Sequence, residues 1–152
     1  MSNSSSPKLF FWPYLKRAWL WTQIWCHVIA GLLTIFTRFP FADSRSKNQL
    51  IQEWSIRLLN IFGIQLKVIG GEILPSNPFL LAANHISWMD IHAINAFRPI
   101  RCVAKSDVEG WPVFGWMAKQ VGTVFIKRDN ARHGKQVASV IANVCLLYTS
   151  PS

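Results

Sequence analysis

Phe79-Leu80-Leu81-Ala82-Ala83-Asn84-His85-Ile86-Ser87-Trp88-Met89-Asp90 runs from five apolar residues through two polar ones into a segment of different period. The apolar run 79–83 reads as a fully buried strand, and Trp88 to Phe97 reads as a short helix. His85 then stands at a strand's carboxyl end, where open α/β sheets gather their ligands. There an imidazole can take a proton with one ring nitrogen while a carboxylate, Asp90, holds the other. The carboxylate fixes the tautomer and stabilises the cation that forms. The same residues also fit a purely structural pattern, with Ser87 as helix N-cap and Asp90 three positions on, the spacing of a capping box. That pattern leaves Asn84 and His85 unexplained.

Other chemistries fit the stretch less well. Ser87 lacks the strand-turn-helix elbow and flanking glycines that expose a nucleophilic serine, so a Ser-His-Asp triad is disfavoured. A metal site built from His85, Asp90 and His92 is disfavoured too, because helix positions two apart do not share a face. No metal is expected.

Two further segments end in cations. Val103-Ala104-Lys105-Ser106-Asp107 places Lys105 at the end of a strand spanning 100–104. Gly122-Thr123-Val124-Phe125-Ile126-Lys127-Arg128 is a strand (123–126) closed by Lys127 and Arg128, with a helix starting near Asn130. An Arg fork beside a helix N-terminus suits a phosphate. For both segments a solvated strand end is the plain alternative. If the sheet is parallel, Lys105 and Arg128 share one rim with His85.

Between these landmarks the chain alternates helices and strands. Leu50, Ile51, Trp54, Leu58, Leu59 and Phe62 recur at helical spacing, and Gly63 is placed to end that helix. Ile64 to Val68 alternates as a half-buried strand does, before a Gly70-Gly71 turn. A short helix containing Pro112 follows the strand 100–104. A last helix from Asp129 or Asn130 carries Val137, Val140, Ile141 and Val144 on one face. The order predicts an α/β fold, a layer with a largely parallel sheet and flanking helices.

The amino-terminal part is different in kind. From Ala18 to Phe36 no residue is charged, and at about 1.5 Å per residue this helix reaches roughly 28 Å, near the thickness of a bilayer's hydrocarbon core. Thr22, Gln23, His27 and Gly31 interrupt it, and Trp12, Trp19, Trp21 and Trp25 gather near its start, where an interfacial aromatic belt sits. Lys8, Lys16 and Arg17 precede it and Arg38, Arg45 and Lys47 follow it, so the basic residues give no orientation. Such a tie fits a re-entrant or interfacial helix as well as a span. Residues 1–45 are therefore read as a membrane-associated helical segment and 46–152 as the α/β domain.

Composition agrees. Apolar residues make up 51% of the chain and the formal charge is +9, which suits a surface held against anionic lipid headgroups. Nucleic acid is disfavoured, because the aromatic residues concentrate in the apolar segment instead of alternating with Arg and Lys. Cys26, Cys102 and Cys145 are too scattered for a disulfide framework or a zinc site, and Cys102 reads as a small buried hydrophobe.

Taken together, these segments resemble the glycerolipid acyltransferase family, in particular bacterial 1-acyl-sn-glycerol-3-phosphate acyltransferases. Asn84-His85-Ile86-Ser87-Trp88-Met89-Asp90 is similar to the first family block, Gly122 through Arg128 to the second, and Ala104-Lys105-Ser106-Asp107 with Pro112 and Gly115 to the lysine-bearing segment between them. The resemblance implies a partial acyltransferase-type sheet preceded by the membrane segment. It implies acyl transfer from acyl-CoA or acyl carrier protein to the free hydroxyl of lysophosphatidic acid, with no cofactor beyond the donor. His85 would be the general base and Asp90 its orienting carboxylate. Arg128 would grip the acceptor phosphate, with Lys105, Lys127, Asn84 and Ser87 beside the substrate. The implied location is the bacterial inner membrane, active site on the cytoplasmic side. The family's third block, Phe-Pro-Glu-Gly followed by Thr or Ser and Arg, is missing, so an incomplete acyltransferase domain is expected. A relative acting on another lysolipid, such as a lyso-ornithine lipid, and a non-catalytic basic membrane-surface protein are the alternative readings.

Overall fold

The computed structural model describes residues 8–75, 79–84 and 86–127. His85, Arg128 and the helix expected from Asp129 lie outside the described residues. In chain order the elements are α1 (Lys8–Thr37), α2 (Ser44–Ile61), α3 (Trp88–Phe97), β1 (Val103–Lys105), α4 (Phe114–Gln120) and β2 (Val124–Ile126). Short 3-10 turns occupy Phe39–Phe41, Gly71–Ile73 and Ser106–Gly110.

Helix α1 absorbs most of its polar interruptions internally. The hydroxyls of Thr22, Thr34 and Thr37 donate to the carbonyls of Ala18, Ala30 and Leu33 one turn back, at 2.9, 2.8 and 2.7 Å. Its protein-facing stripe contains His27, Val28, Gly31 and Ile35, while Trp19, Trp21, Trp25, Ile29, Leu33 and Phe36 remain exposed. Pro40, in the turn that follows, cannot continue the helix, and the chain reverses into α2.

Asp43 caps α2, its side chain accepting from the Ser46 N–H at 3.0 Å. At the other end Gly63 adopts φ +67°, which glycine reaches without penalty. That conformation closes a Schellman motif, with Ile64 N–H donating to the Leu59 carbonyl at 2.9 Å and Gly63 N–H to Asn60 at 3.0 Å. The helix therefore ends where the sequence places its stop.

Helix α3 spans Trp88–Phe97, as the sequence predicts, and lies against α2. Gln52 of α2 donates to the carbonyls of Ala96 and Phe97 at 3.0 and 3.1 Å, satisfying the end of α3. Buried Asn95 accepts from the Ile100 N–H at 3.0 Å and steers the chain toward β1. The strands pair in parallel with Val103 opposite Val124, Ala104 opposite Phe125 and Lys105 opposite Ile126. The right element type is thus found in both places, although each strand is shorter than its apolar pattern.

Three expectations are corrected. Residues 64–68 form no strand among the described residues, and Ile64, Leu66 and Val68 are exposed. Residues 79–83 also form no strand, and Leu80 is 64% exposed instead of buried. Period-2 apolarity records which surface a segment could bury, but a strand exists only where another backbone takes up its N–H and C=O groups. Pro112 lies before α4 and not within it, in a tight turn where Phe114 N–H donates to the Pro112 carbonyl at 2.7 Å across Val113 at φ +65°. The sheet of the described residues is therefore a two-stranded parallel pair in a helix-rich body.

The packing that ties α1 to this body centres on His27 and Trp54. Their rings stack at 4.5 Å, the His27 ring nitrogen Nε2 donates to the Trp54 carbonyl at 3.1 Å, and Trp54 Nε1 donates to the His27 carbonyl at 3.3 Å. Gly31, one turn on, permits this approach: a Cβ there would stand 2.6 Å from Trp54 Nε1. Gly31→Ala should therefore destabilise the fold by about 1–3 kcal/mol, the usual cost of overpacking. Thermal unfolding in detergent checks this, and an unchanged midpoint would show that α1 does not close on Trp54.

Candidate functional site

The amino terminus of α3 is built by short-range hydrogen bonding. Ser87 Oγ accepts from the Met89 N–H at 3.2 Å, and Asp90 Oδ2 accepts from the N–H groups of Ser87 at 2.8 Å and Ile86 at 2.9 Å. The capping box is complete. Asp90 thereby fixes the two peptide units that follow His85, because its carboxylate bonds the backbone on that residue's carboxyl side. Ile86 is 96% exposed and Asn84 is exposed, so the residues on either side of position 85 stand at the surface of the described body. The segment before position 85 is not the buried strand that the sequence pattern suggests: it forms no strand, and residues 80–84 are exposed.

The parallel register carries β1 and β2 to the same edge. Lys105 is the last residue of β1, opposite Ile126, so Lys127 follows on the neighbouring strand and Arg128 comes next in the chain. Lys105 forms an ion pair with Asp107, both side chains being more than half exposed. That pair moderates the positive charge of the edge without cancelling it. Lys127 is exposed. Among the described residues no three His, Cys, Asp or Glu side chains gather as a metal site.

Behind α3 the environment is apolar. Trp88, Ile91, His92 and Asn95 face a cavity that Cys102 also lines, and burial pushes the Cys102 thiol up, as befits a small hydrophobe. His92 packs against Trp54 at 5.2 Å and Trp88 at 5.6 Å, and burial, with a smaller contribution from nearby His27, pushes its imidazole down to about 4. Asp90 does not line this cavity. His27, Trp54, Ser55 and His92 escape a reading of local pattern, since their significance lies in tertiary contacts between three helices. The polar interruption of an otherwise apolar α1 by His27 was the available signal.

A family model described as Acyltransferase matches residues 65–149. This chain belongs to the acyltransferase family. The match covers the α3 amino terminus and both strands, and it agrees with the resemblance to glycerolipid acyltransferases. Among curated relatives, the lyso-ornithine lipid O-acyltransferase of Pseudomonas aeruginosa is 35% identical over 103 residues, covering 67% of this chain and 39% of that protein. The 1-acyl-sn-glycerol-3-phosphate acyltransferase of Neisseria meningitidis serogroup B is 40% identical over 89 residues, 57% of this chain and 34% of that protein. The Saccharomyces cerevisiae enzyme of the same name is 34% identical over 71 residues, covering 45% and 23%. The chain spans little more than a third of the length of the bacterial relatives it matches. No solved structure matches it. A helix long and apolar enough to cross a bilayer, together with relatives named for acylating lipids, associates the chain with membranes.

Burial of neutral His92 sets a pH dependence. Its folded value lies below the ordinary one of 6.5, so the unfolded chain binds the extra proton first as pH falls. The stability conferred by keeping this imidazole neutral is complete above pH 6.5 and is lost progressively toward pH 4, by on the order of 3 kcal/mol. Denaturant unfolding of the protein at pH 7 and pH 4 should show a smaller loss in His92→Phe than in the parent; equal losses would contradict the assignment.

Proposed function

We propose that the whole protein transfers a fatty acyl group from an acyl-CoA or acyl carrier protein thioester to the free hydroxyl of lysophosphatidic acid, forming phosphatidic acid. The observation that carries this reading is the parallel register of β1 and β2, which brings Lys105 and Lys127 to one edge with Arg128 next in sequence. A cationic edge suits a phosphate-bearing acceptor. The name of the Neisseria relative points the same way.

In this mechanism His85 removes the acceptor's hydroxyl proton as the oxygen attacks the thioester carbonyl carbon. A tetrahedral intermediate collapses with cleavage of the C–S bond, and the imidazolium returns its proton to the departing thiolate. No covalent acyl-enzyme is required. Asp90 orients the imidazole, and its bonds to the Ile86 and Ser87 amides support that role by fixing the adjoining backbone. Arg128, with Lys105 and Lys127, holds the phosphate, while Asn84 and Ser87 lie beside the reacting hydroxyl. A lyso-ornithine lipid acceptor is the second reading, favoured by the name and similarity of the Pseudomonas relative.

The location proposed is the cytoplasmic face of a bacterial inner membrane, with α1 lying along the interface. His27, in the middle of the uncharged segment, is held to Trp54 of α2, whose neighbours Glu53 and Arg57 have side chains 62% and 73% exposed. An upright α1 filling the hydrocarbon with residues 18–36 would carry this charged helix inward. Each charge at the bilayer centre costs roughly 2.5–3.5 kcal/mol. An oblique or flat α1 instead offers its exposed Trp, Ile, Leu and Phe side chains to lipid and leaves α2 in water.

His85→Ala in the full-length protein should reduce labelled acyl transfer to lysophosphatidic acid by about 10²–10⁴; undiminished turnover would sink the general-base role. Arg128→Ala should raise KM for a phosphate-bearing acceptor well above its effect on a phosphate-free one, and equal effects would argue against phosphate binding. Carbonate at high pH should release an interfacial α1 from membranes, whereas release by detergent alone would favour a span.

A further inference from the structure

The turn Trp111-Pro112-Val113-Phe114, just before α4, is exposed at every position. Trp111, Val113 and Phe114 are 58%, 42% and 51% exposed. Single apolar residues at a surface need no explanation, but three in one short turn make a patch. The backbone holds them there. Val113 has φ +65°, a costly conformation for a β-branched residue, and the Phe114 N–H closes the turn on the Pro112 carbonyl. Behind it, buried Gly115 packs against the 3-10 turn Ser106–Gly110 so closely that a Cβ would run into the carbonyl oxygens of Val108 and Glu109. The turn has no room to fold inward.

The charges around the patch cancel. No residue from Gly110 to Ala118 is charged, and the flanking Glu109 and Lys119 bind each other at 2.9 Å. The patch is also continuous with the apolar surface of α1. Phe36, itself 65% exposed, stacks on Trp116 two residues beyond Phe114, so exposed aromatic surface passes from α1 to α4 through that ring pair.

We propose that Trp111, Val113 and Phe114 form a second membrane contact, inserted into the interfacial layer of the same bilayer on which α1 lies. The proposal rests on the interfacial location argued above for α1 and extends it to a turn of the helix-rich body. Indole rings favour the headgroup boundary, where their apolar body and N–H are both satisfied. A patch without charge, bounded by a self-compensating ion pair and joined to a lipid-facing helix, suits lipid better than it suits a protein partner. The contact has a mechanical consequence. A body held by one interfacial helix can roll about that helix's axis, and a second contact borne by another element stops the roll. It thereby sets the depth of α4 and of β2, which follows it.

The test reads location and does not depend on acyl transfer. The full-length protein is labelled with ring-fluorinated tryptophan, placed in vesicles of phosphatidylcholine and phosphatidylglycerol, and followed by fluorine NMR. Trp111→Phe and Trp25→Phe assign one resonance in the turn and one on α1. Phosphatidylcholine with a nitroxide near its headgroup should broaden Trp111 as much as Trp25, and a water-soluble gadolinium chelate should spare both. In Val113→Asp the broadening of Trp111 by lipid should be lost while that of Trp25 is kept. Aspartate tolerates positive φ, so the thermal midpoint of this variant in detergent should hold or rise. If Trp25 is broadened by the lipid label but Trp111 is reached only by the chelate, or by neither reagent because protein covers it, the second contact is overturned and the location of α1 stands. Trp111 still in lipid in Val113→Asp would also contradict the proposal, and no lipid broadening of either residue would overturn it together with the interfacial α1.

Discussion

The reciprocal bonding of His27 and Trp54 is the constraint on which the arrangement of this chain depends. A helix that is apolar on nearly every side has no intrinsic reason to settle one face on a soluble body. Here an imidazole, a glycine one turn on and the indole of α2 supply that reason. Two hydrogen bonds and a stacked ring pair fix both rotation and depth of α1 against α2. Once α1 is set, Phe36 stacks on Trp116 of α4 at 4.9 Å, while Phe62, just after α2, meets the edge of Trp88 on α3 at 5.8 Å. The amino terminus of α3, which carries the Ser87–Asp90 box, thereby takes a defined place relative to the membrane-facing helix.

Under the proposed function, that geometry would link lipid contact to chemistry. Substrates with long acyl chains reside in the bilayer, and a base that acts on a headgroup hydroxyl has to stand at headgroup depth. In the arrangement proposed above, α1 would lie along the interface, held by exposed aromatic side chains, and carry the α3 amino terminus at the surface of the body without sinking Glu53 or Arg57 into hydrocarbon. In that proposed arrangement the cationic ends of β1 and β2 would face the aqueous layer in which lipid phosphates lie.

Features set by adjacent residues were readable from the chain. Ser87 and Asp90 start α3 through bonds three positions long, and Gly63 ends α2 through a turn that closes within a few residues. Features that need a distant partner were not. Residues 64–68 and 79–83 have strand-like patterns, yet pattern does not supply a neighbouring backbone, and neither pairs among the described residues. The edge shared by Lys105 and Lys127 followed from the α/β order only once parallel pairing was assumed. His27 was legible as an anomaly in an apolar helix, but its partner, twenty-seven positions away, was not. Ser55 and His92 look unremarkable in sequence, because the burial of Ser55 Oγ and His92 Nδ1 without a hydrogen-bond partner comes from the packing around them.

The acceptor decides the account most directly. Steady-state kcat/KM of the full-length protein for lysophosphatidic acid and for a lyso-ornithine lipid of matched chain length, with one thioester donor, is the measurement. The cationic edge predicts a preference of about tenfold or more for the phosphate-bearing acceptor, as one well-placed charge-assisted contact provides. A preference for the lyso-ornithine lipid, or no product from either acceptor, would contradict it.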